Sequence, residues 1–321
     1  MTPTLVLLAA IAVLLSACAA APAPGPAPEP KSLPVIRTLW DFEDPAGTEA
    51  KFREILPAAR TSGDRAYLAE LLSQVGRAQG LQQRFDEADR TLEEAESFLG
   101  EEMPRARVLC LIERGRVRNS SHRQEEAKPY FVKAWDEARA AGLDGLAVDA
   151  AHMMGIAETG KASLDWNLEA IAFAERSSDP AARNWLGPLY NNTGWALHDG
   201  GEPARALEIF EKARAWFVER KGEPQARISR WTVARCLRTL GRTEEALSTQ
   251  ETLRAEMEAA GDPDGFVYEE LGECLWTLGR KDGARPWFGK AWDLLSKDPW
   301  LTRDEPKRLE RMKRLAGGAA D

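Results

Sequence analysis

The chain of 321 residues is poor in the side chains from which enzyme centres are most often built: it has three histidines, four cysteines and four tyrosines. His122, His152 and His198 are too few for a His-rich metal cluster. Cys18, Cys110, Cys236 and Cys274 are widely separated without a C-x₂-C spacing, which excludes a disulfide-dense scaffold and gives no zinc-ligand pattern. Surplus positive charge is also missing. Against 51 Asp and Glu stand 43 Lys and Arg, for a net charge of −8. Non-specific nucleic-acid binding needs basic surface to displace counterions, so no nucleic-acid partner is expected. The apolar run Leu5–Leu15 has only eleven residues, short of the ~20 that a membrane-crossing helix requires. No period-two alternation marks a strand. What remains is 44% hydrophobic and 29% charged, with eleven Trp, a balance that folds around a core.

The run Leu5–Leu15 has the length of a signal-peptide apolar region. Leu15-Ser16-Ala17-Cys18 after it resembles the bacterial lipobox, although Met1–Thr4 carries no Lys or Arg. The resemblance implies a diacylglycerol thioether on Cys18, which becomes the mature N-terminus and supplies membrane attachment. The alternative is a plain secretory peptide cleaved near Ala20 or Ala21. Six of the nineteen prolines lie between Pro22 and Pro34. Such spacing favours polyproline II, a semi-rigid spacer. Ala19 stands where an Asp marks inner-membrane retention in many lipoproteins. By that resemblance the protein belongs to the bacterial cell envelope, lipid-anchored on the periplasmic side, with the outer membrane favoured.

Small residues recur at Gly76, Gly115, Gly155, Gly194, Ala234 and Gly272, a period of 38–40. Twelve residues after each come Ala88, Ala127, Asn167, Ala206, Ala246 and Ala284. Sixteen after come Leu92, Phe131, Ile171, Phe210, Gln250 and Phe288; nineteen after come Ala95, Ala134, Ala174, Ala213, Leu253 and Ala291. Small residues at fixed offsets around one large apolar residue are what close helix–helix contact requires. The pattern resembles the tetratricopeptide repeat, most fully in Tyr190-Gly194-Leu197-Gly201-Ala206-Phe210-Ala213 and Tyr268-Gly272-Leu275-Gly279-Ala284-Phe288-Ala291. Units three and five depart from it at Asn167, Ala234 and Gln250. The resemblance implies an all-α fold: a right-handed α-solenoid of about six helix–turn–helix units with terminal capping helices. The expected organisation is a leader (1–17), a lipidated tether (18–46), a capping helix (47–62), the solenoid (63–298), and a C-terminal cap and tail (299–321).

Candidate chemistry is sparse. Gly155–Ala162 nearly spells a phosphate-binding loop, but Ala162 lacks the hydroxyl and the strand–loop–helix context is missing. Cys236 and Cys274 fall at equivalent repeat positions and read as buried structural thiols. No cofactor is implied. In the tetratricopeptide register, the inner groove is lined by residues three and two before, and one and four after, each small residue. This assigns Asn119, His152, Asn191, Asn192, Trp195, His198, Trp231, Arg235, Arg238, Glu269 and Glu273 to a surface for a peptide or protein partner. Paired Asn can clamp a peptide backbone, Trp gives rigid contact area, and Arg can pair with a carboxylate. The far end reads anionic, at Glu269 to Glu273. In the bland alternative the Trp wedge between repeats and the Arg neutralise Glu of the next unit. In the rival functional reading, His152, His198 and the Glu269–Glu273 cluster form a small-molecule or hydrolytic site.

Overall fold

Helix starts follow the capping chemistry of the sequence. Asp44, Asp64, Asp264 and Asp298 each accept hydrogen bonds from first-turn amides, at 2.7–2.9 Å for the shortest. Pro45, Pro104, Pro203, Pro299 and Pro306 open helices where a missing N–H costs nothing. The result, in a computed structural model that describes residues 33–318, is a succession of helices with no strand among the described residues. The leader and Cys18 lie outside those residues.

After α1 (Pro45–Thr61) come antiparallel pairs: α2 (Arg65–Leu81) with α3 (Phe85–Ser97), α4 (Pro104–Ser120) with α5 (Gln124–Ala140), and α6 (Asp144–Ala157) with α7 (Gly160–Arg176). A short α8 (Pro180–Arg183) precedes α9 (Leu186–Asp199) with α10 (Pro203–Glu219). Then come α11 (Glu223–Thr239) with α12 (Thr243–Ala259), and α13 (Gly265–Thr277) with α14 (Lys281–Leu295). Two helices, α15 (Pro299–Asp304) and α16 (Pro306–Ala316), end the described chain. The second helix of one pair packs on the first helix of the next, and the first helices α2 and α4, α4 and α6, and α11 and α13 also meet. This is the tetratricopeptide-like α-solenoid that the repeat pattern implies.

Within each pair the recurring small residue meets the large one. A methyl group on Gly115 or Gly194 would collide with the ring of Phe131 or Phe210, and one on Gly272 would come within 2.9 Å of Phe288. Those three rings are at most 1% exposed. In the third pair Gly155 faces the Asn167 side chain instead, whose amide donates to the Ser163 carbonyl at 2.9 Å. The turns within pairs need one left-handed residue: glycine at 201, 241 and 279, but Gln83 (φ 61°) and His122 (φ 62°) in the first two pairs.

The C-terminal cap expected over 299–321 is two helices, not one. It breaks at Glu305, and α16 buries Leu309, Met312 and Leu315 on one stripe against α14. No helix of the described residues is long and apolar enough to cross a membrane.

Candidate functional site

The expected groove positions divide by depth. Those two and three before the small residue lie on the line where neighbouring inner helices touch, so Ser73, Ile112, Glu113, Thr232 and Glu270 are almost fully buried. Those one after it are more open. Unit four is the exception, because Asn192 is exposed although it sits two before Gly194.

In the first three units the inner surface is a ladder of ion pairs. The Glu113 carboxylate, with 0% exposure, accepts from Arg116 at 2.6 Å and is approached by Arg77 and Gln74 at 3.5 Å. Arg116 also reaches Asp149 at 2.5 Å. His152 packs on Trp185 with ring centroids 5.1 Å apart, and its buried Nδ1 has no partner. Burial holds the imidazole below its ordinary pKa, opposed by Asp149 and assisted by Arg116. Asn119 is half-buried with its Oδ1 unpartnered.

Part of this surface is covered by the chain itself. The segment before α1 crosses unit one: the Trp40 indole donates to Gln74 Oε1 at 2.9 Å, and Tyr67 donates to the Pro34 carbonyl at 2.8 Å. Trp40 stacks on Phe42 at 4.8 Å, and the Arg77 guanidinium lies 5.3 and 5.1 Å from the two ring centroids. Residues Leu33–Arg37 thereby form one wall of a cavity of about 790 Å³ whose other walls include Leu143, Leu146 and Trp185.

Charge gives way to aromatic and amide groups in the middle of the solenoid. Trp195 and Trp231 lie 6.1 Å apart, and the Arg235 guanidinium sits 5.4 and 5.6 Å from their centroids. Trp195 also packs edge-on against the core ring of Phe210, so it serves both surface and inter-helix packing. Asn191 is half-buried beside exposed Asn192. His198 meets Asp199 at 3.1 Å and Thr239 at 2.9 Å. Arg238 is engaged: it donates to both Glu270 oxygens, at 2.8 and 2.9 Å.

The far end is not the free anionic patch that its sequence suggests. Arg308 of α16 holds Glu269 at 2.5 and 2.7 Å, and Arg311 holds Glu273. The C-terminal helix supplies these cations. Among the described residues neither His152 nor His198 is hydrogen-bonded to Glu269 or Glu273: His198 meets Asp199 and Thr239, and the two Glu meet arginines of α16. No group of three or more His, Cys, Asp or Glu among the described residues could hold a metal ion. The phosphate-loop look-alike spans the end of α6, a turn and the start of α7. Burial pushes the thiols of Cys110, Cys236 and Cys274 up to about 12, 11 and 12, which leaves them unreactive.

The register stops one turn short of a further row. Six residues before each small position stand Glu70, Leu109, Asp149, Pro188, Ile228 and Phe266. Ile228 is 57% exposed and, with Trp231, Met257 and Phe266, lines an apolar cavity of about 450 Å³ between α11 and α13. The sequence signal for it was an exposed-face Ile one turn before Trp231.

No protein-family model and no curated protein matches the sequence. Among solved structures, the apo form of RapI is similar over 88% of this chain and 78% of its own, with a TM-score of 0.69 at 14% identity. A signal transduction ATPase with numerous domains and a tetratricopeptide repeat sensor, from Pyrococcus horikoshii, is similar over 86% of this chain and 45% of its own (TM-score 0.66, 16% identity). The quorum sensor NprR from B. thuringiensis matches in its apo form over 87% of this chain and 78% of its own (TM-score 0.58, 14% identity). NprR in complex with its cognate peptide NprX matches over 89% and 83% (TM-score 0.51, 14% identity). At these identities the likeness is one of fold.

Proposed function

We propose that this protein is a scaffold that binds a peptide segment or partner protein on its inner surface, by association and without catalysis. The observation that carries the reading is the break in the ion-pair ladder at unit four. There exposed Asn192 lies beside Trp195, Trp231 and Arg235, groups that give hydrogen bonds and rigid contact area instead of charges already paired. Grooves of solenoids are their usual working surface, and NprR, a structural neighbour, has been solved with a peptide bound. Capture from its own cell envelope with the full-length protein as bait, followed by cross-linking and mass spectrometry, tests this. The double substitution Asn192→Ala with Trp195→Ala should deplete the captured partner while far-UV circular dichroism stays unchanged. Equal capture by both proteins would reject the groove.

The leader supports a second part of the proposal: attachment through a lipid on Cys18, on the periplasmic side and by preference at the outer membrane, with the Pro-rich stretch as spacer. Metabolic labelling with a radioactive fatty acid tests it. Label retained after Cys18→Ser would reject lipidation at that residue.

A further inference from the structure

Two features on α11 and α13 are left unexplained by packing. One is the apolar cavity of about 450 Å³ lined by Ile228, Trp231, Met257, Phe266 and Val267. Exposed Ile228 and half-buried Trp231 and Phe266 make it a concave apolar surface, the usual form of a ligand site. Its charged lining residues are already engaged: Arg227 faces Asp262 at 3.7 Å, and Asp264 caps α13 by accepting from the Phe266 amide at 2.7 Å. The other feature is Arg235. It approaches Glu270 only at 3.5 Å, while Arg238 takes both oxygens of that carboxylate at 2.8 and 2.9 Å. One carboxylate serving two guanidiniums leaves a positive charge, and Arg235, 30% exposed in its side chain, is the outer of the two.

The two features flank one indole. Trp231 lines the cavity, and its ring centroid is 5.6 Å from the Arg235 guanidinium. Its N–H is fixed on the Phe266 carbonyl at 3.1 Å, so the ring is a stationary partition. An extended peptide advances ~3.3 Å per residue and returns to the same face every second residue, about 6.6 Å on. Trp231, the cavity wall, and Arg235 are one helical turn apart, about 6 Å of rise, so residues i and i+2 of such a peptide match the step from that wall to the guanidinium.

Resting on the peptide-binding reading above, we infer that the cavity and Arg235 form a two-point site for an extended peptide that carries a bulky apolar side chain and, two residues away, a carboxylate. The apolar side chain fills the cavity. The carboxylate meets the Arg235 donors in the place that Glu270 does not fill, and charge complementarity thus selects an acidic occupant.

A phage-displayed library of random dodecapeptides, selected on the full chain, tests the assignment; enriched sequences are resynthesised with fluorescein and titrated by anisotropy. The expected consensus pairs a large apolar residue with Asp or Glu at the second position from it. Ile228→Asp should weaken the selected peptide at least about tenfold, because a charge then enters an apolar hollow. Arg235→Gln should weaken it by about tenfold, but leave the affinity of its Asp→Asn or Glu→Gln analogue unchanged, which a purely structural role would not do. Peptides that respond to Asn192→Ala with Trp195→Ala but not to Ile228→Asp or Arg235→Gln would overturn this site and leave the groove reading standing. A library that yields no binder, or a site filled by decanoate in preference to any selected peptide, would overturn this site, and the groove reading then stands or falls by the capture experiment above.

Discussion

Replacing Gly194 by Ala sets two effects of opposite sign against each other. Alanine gains about 1 kcal/mol over glycine in a helix interior. Here, however, the new methyl group collides with the Phe210 ring, which is 1% exposed and already touched edge-on by Trp195 at 5.2 Å. Overpacking of a closed core costs about 1–3 kcal/mol, and at this contact the upper part of that range applies because the ring has nowhere to turn. The expected net loss is about 1–2 kcal/mol for Gly194→Ala, and the same for Gly115→Ala against Phe131. Gly272→Ala should lose less, since its closest contact to Phe288 is 2.9 Å. Gly76→Ala should fall with Gly272→Ala, because its neighbour at 2.9 Å is the branch carbon of Leu92, which is 0% exposed. Urea unfolding followed by tryptophan fluorescence, with the burst of thiol reactivity from buried Cys236 and Cys274 as a second probe, ranks the four. Phe210→Leu should rescue Gly194→Ala more than it affects the parent. If Gly194→Ala raises the unfolding midpoint, as helix propensity alone demands, the close contact between α9 and α10 is wrong.

Glu270→Ala removes the buried acceptor of Arg238 and should cost about 3 kcal/mol, read as a lowered urea midpoint, since breaking a buried pair strands its partner. His152, held below its ordinary 6.5 by burial, binds its proton less readily folded than unfolded. Its contribution is therefore intact above about 6.5 and lost as pH falls from there toward the lower folded value; His152→Asn should flatten the thermal-stability profile across that window. Gln83→Gly and His122→Gly relieve left-handed strain in the first two turns and should each add about 0.5 kcal/mol by urea unfolding.

The solenoid was legible because its contacts are local and repeated: Gly194 and Phe210 lie sixteen residues apart, and the same offset recurs in unit after unit. The groove was legible only in part. Arg77 and Glu113, Arg116 and Asp149, Arg238 and Glu270 stand about one period apart, as do Glu269 and Arg308. In the sequence Arg238 and Glu269 are assignable either to a ligand or to a neighbour, and only the side-by-side placement of inner helices, which no single repeat encodes, decides between them. The crossing of Trp40 over Gln74 had no periodic signal at all, being a single contact between a non-repeated segment and the first unit. Ile228 escaped because the register was counted over two turns of the helix rather than three.

A stack of like units has no inherent end, since the surface that receives one more unit at the bottom is the complement of the surface exposed at the top. Here both are occupied. Phe52 of α1, fully buried, closes one end, and the Leu309–Met312–Leu315 stripe closes the other. The helix that ties down Glu269 and Glu273 is thus also a chain terminator. A protein truncated before Pro299 would bare the face of α14 while α1 still closes the other end, so two such copies could cover their apolar faces only against each other, a closed pair and not a growing stack.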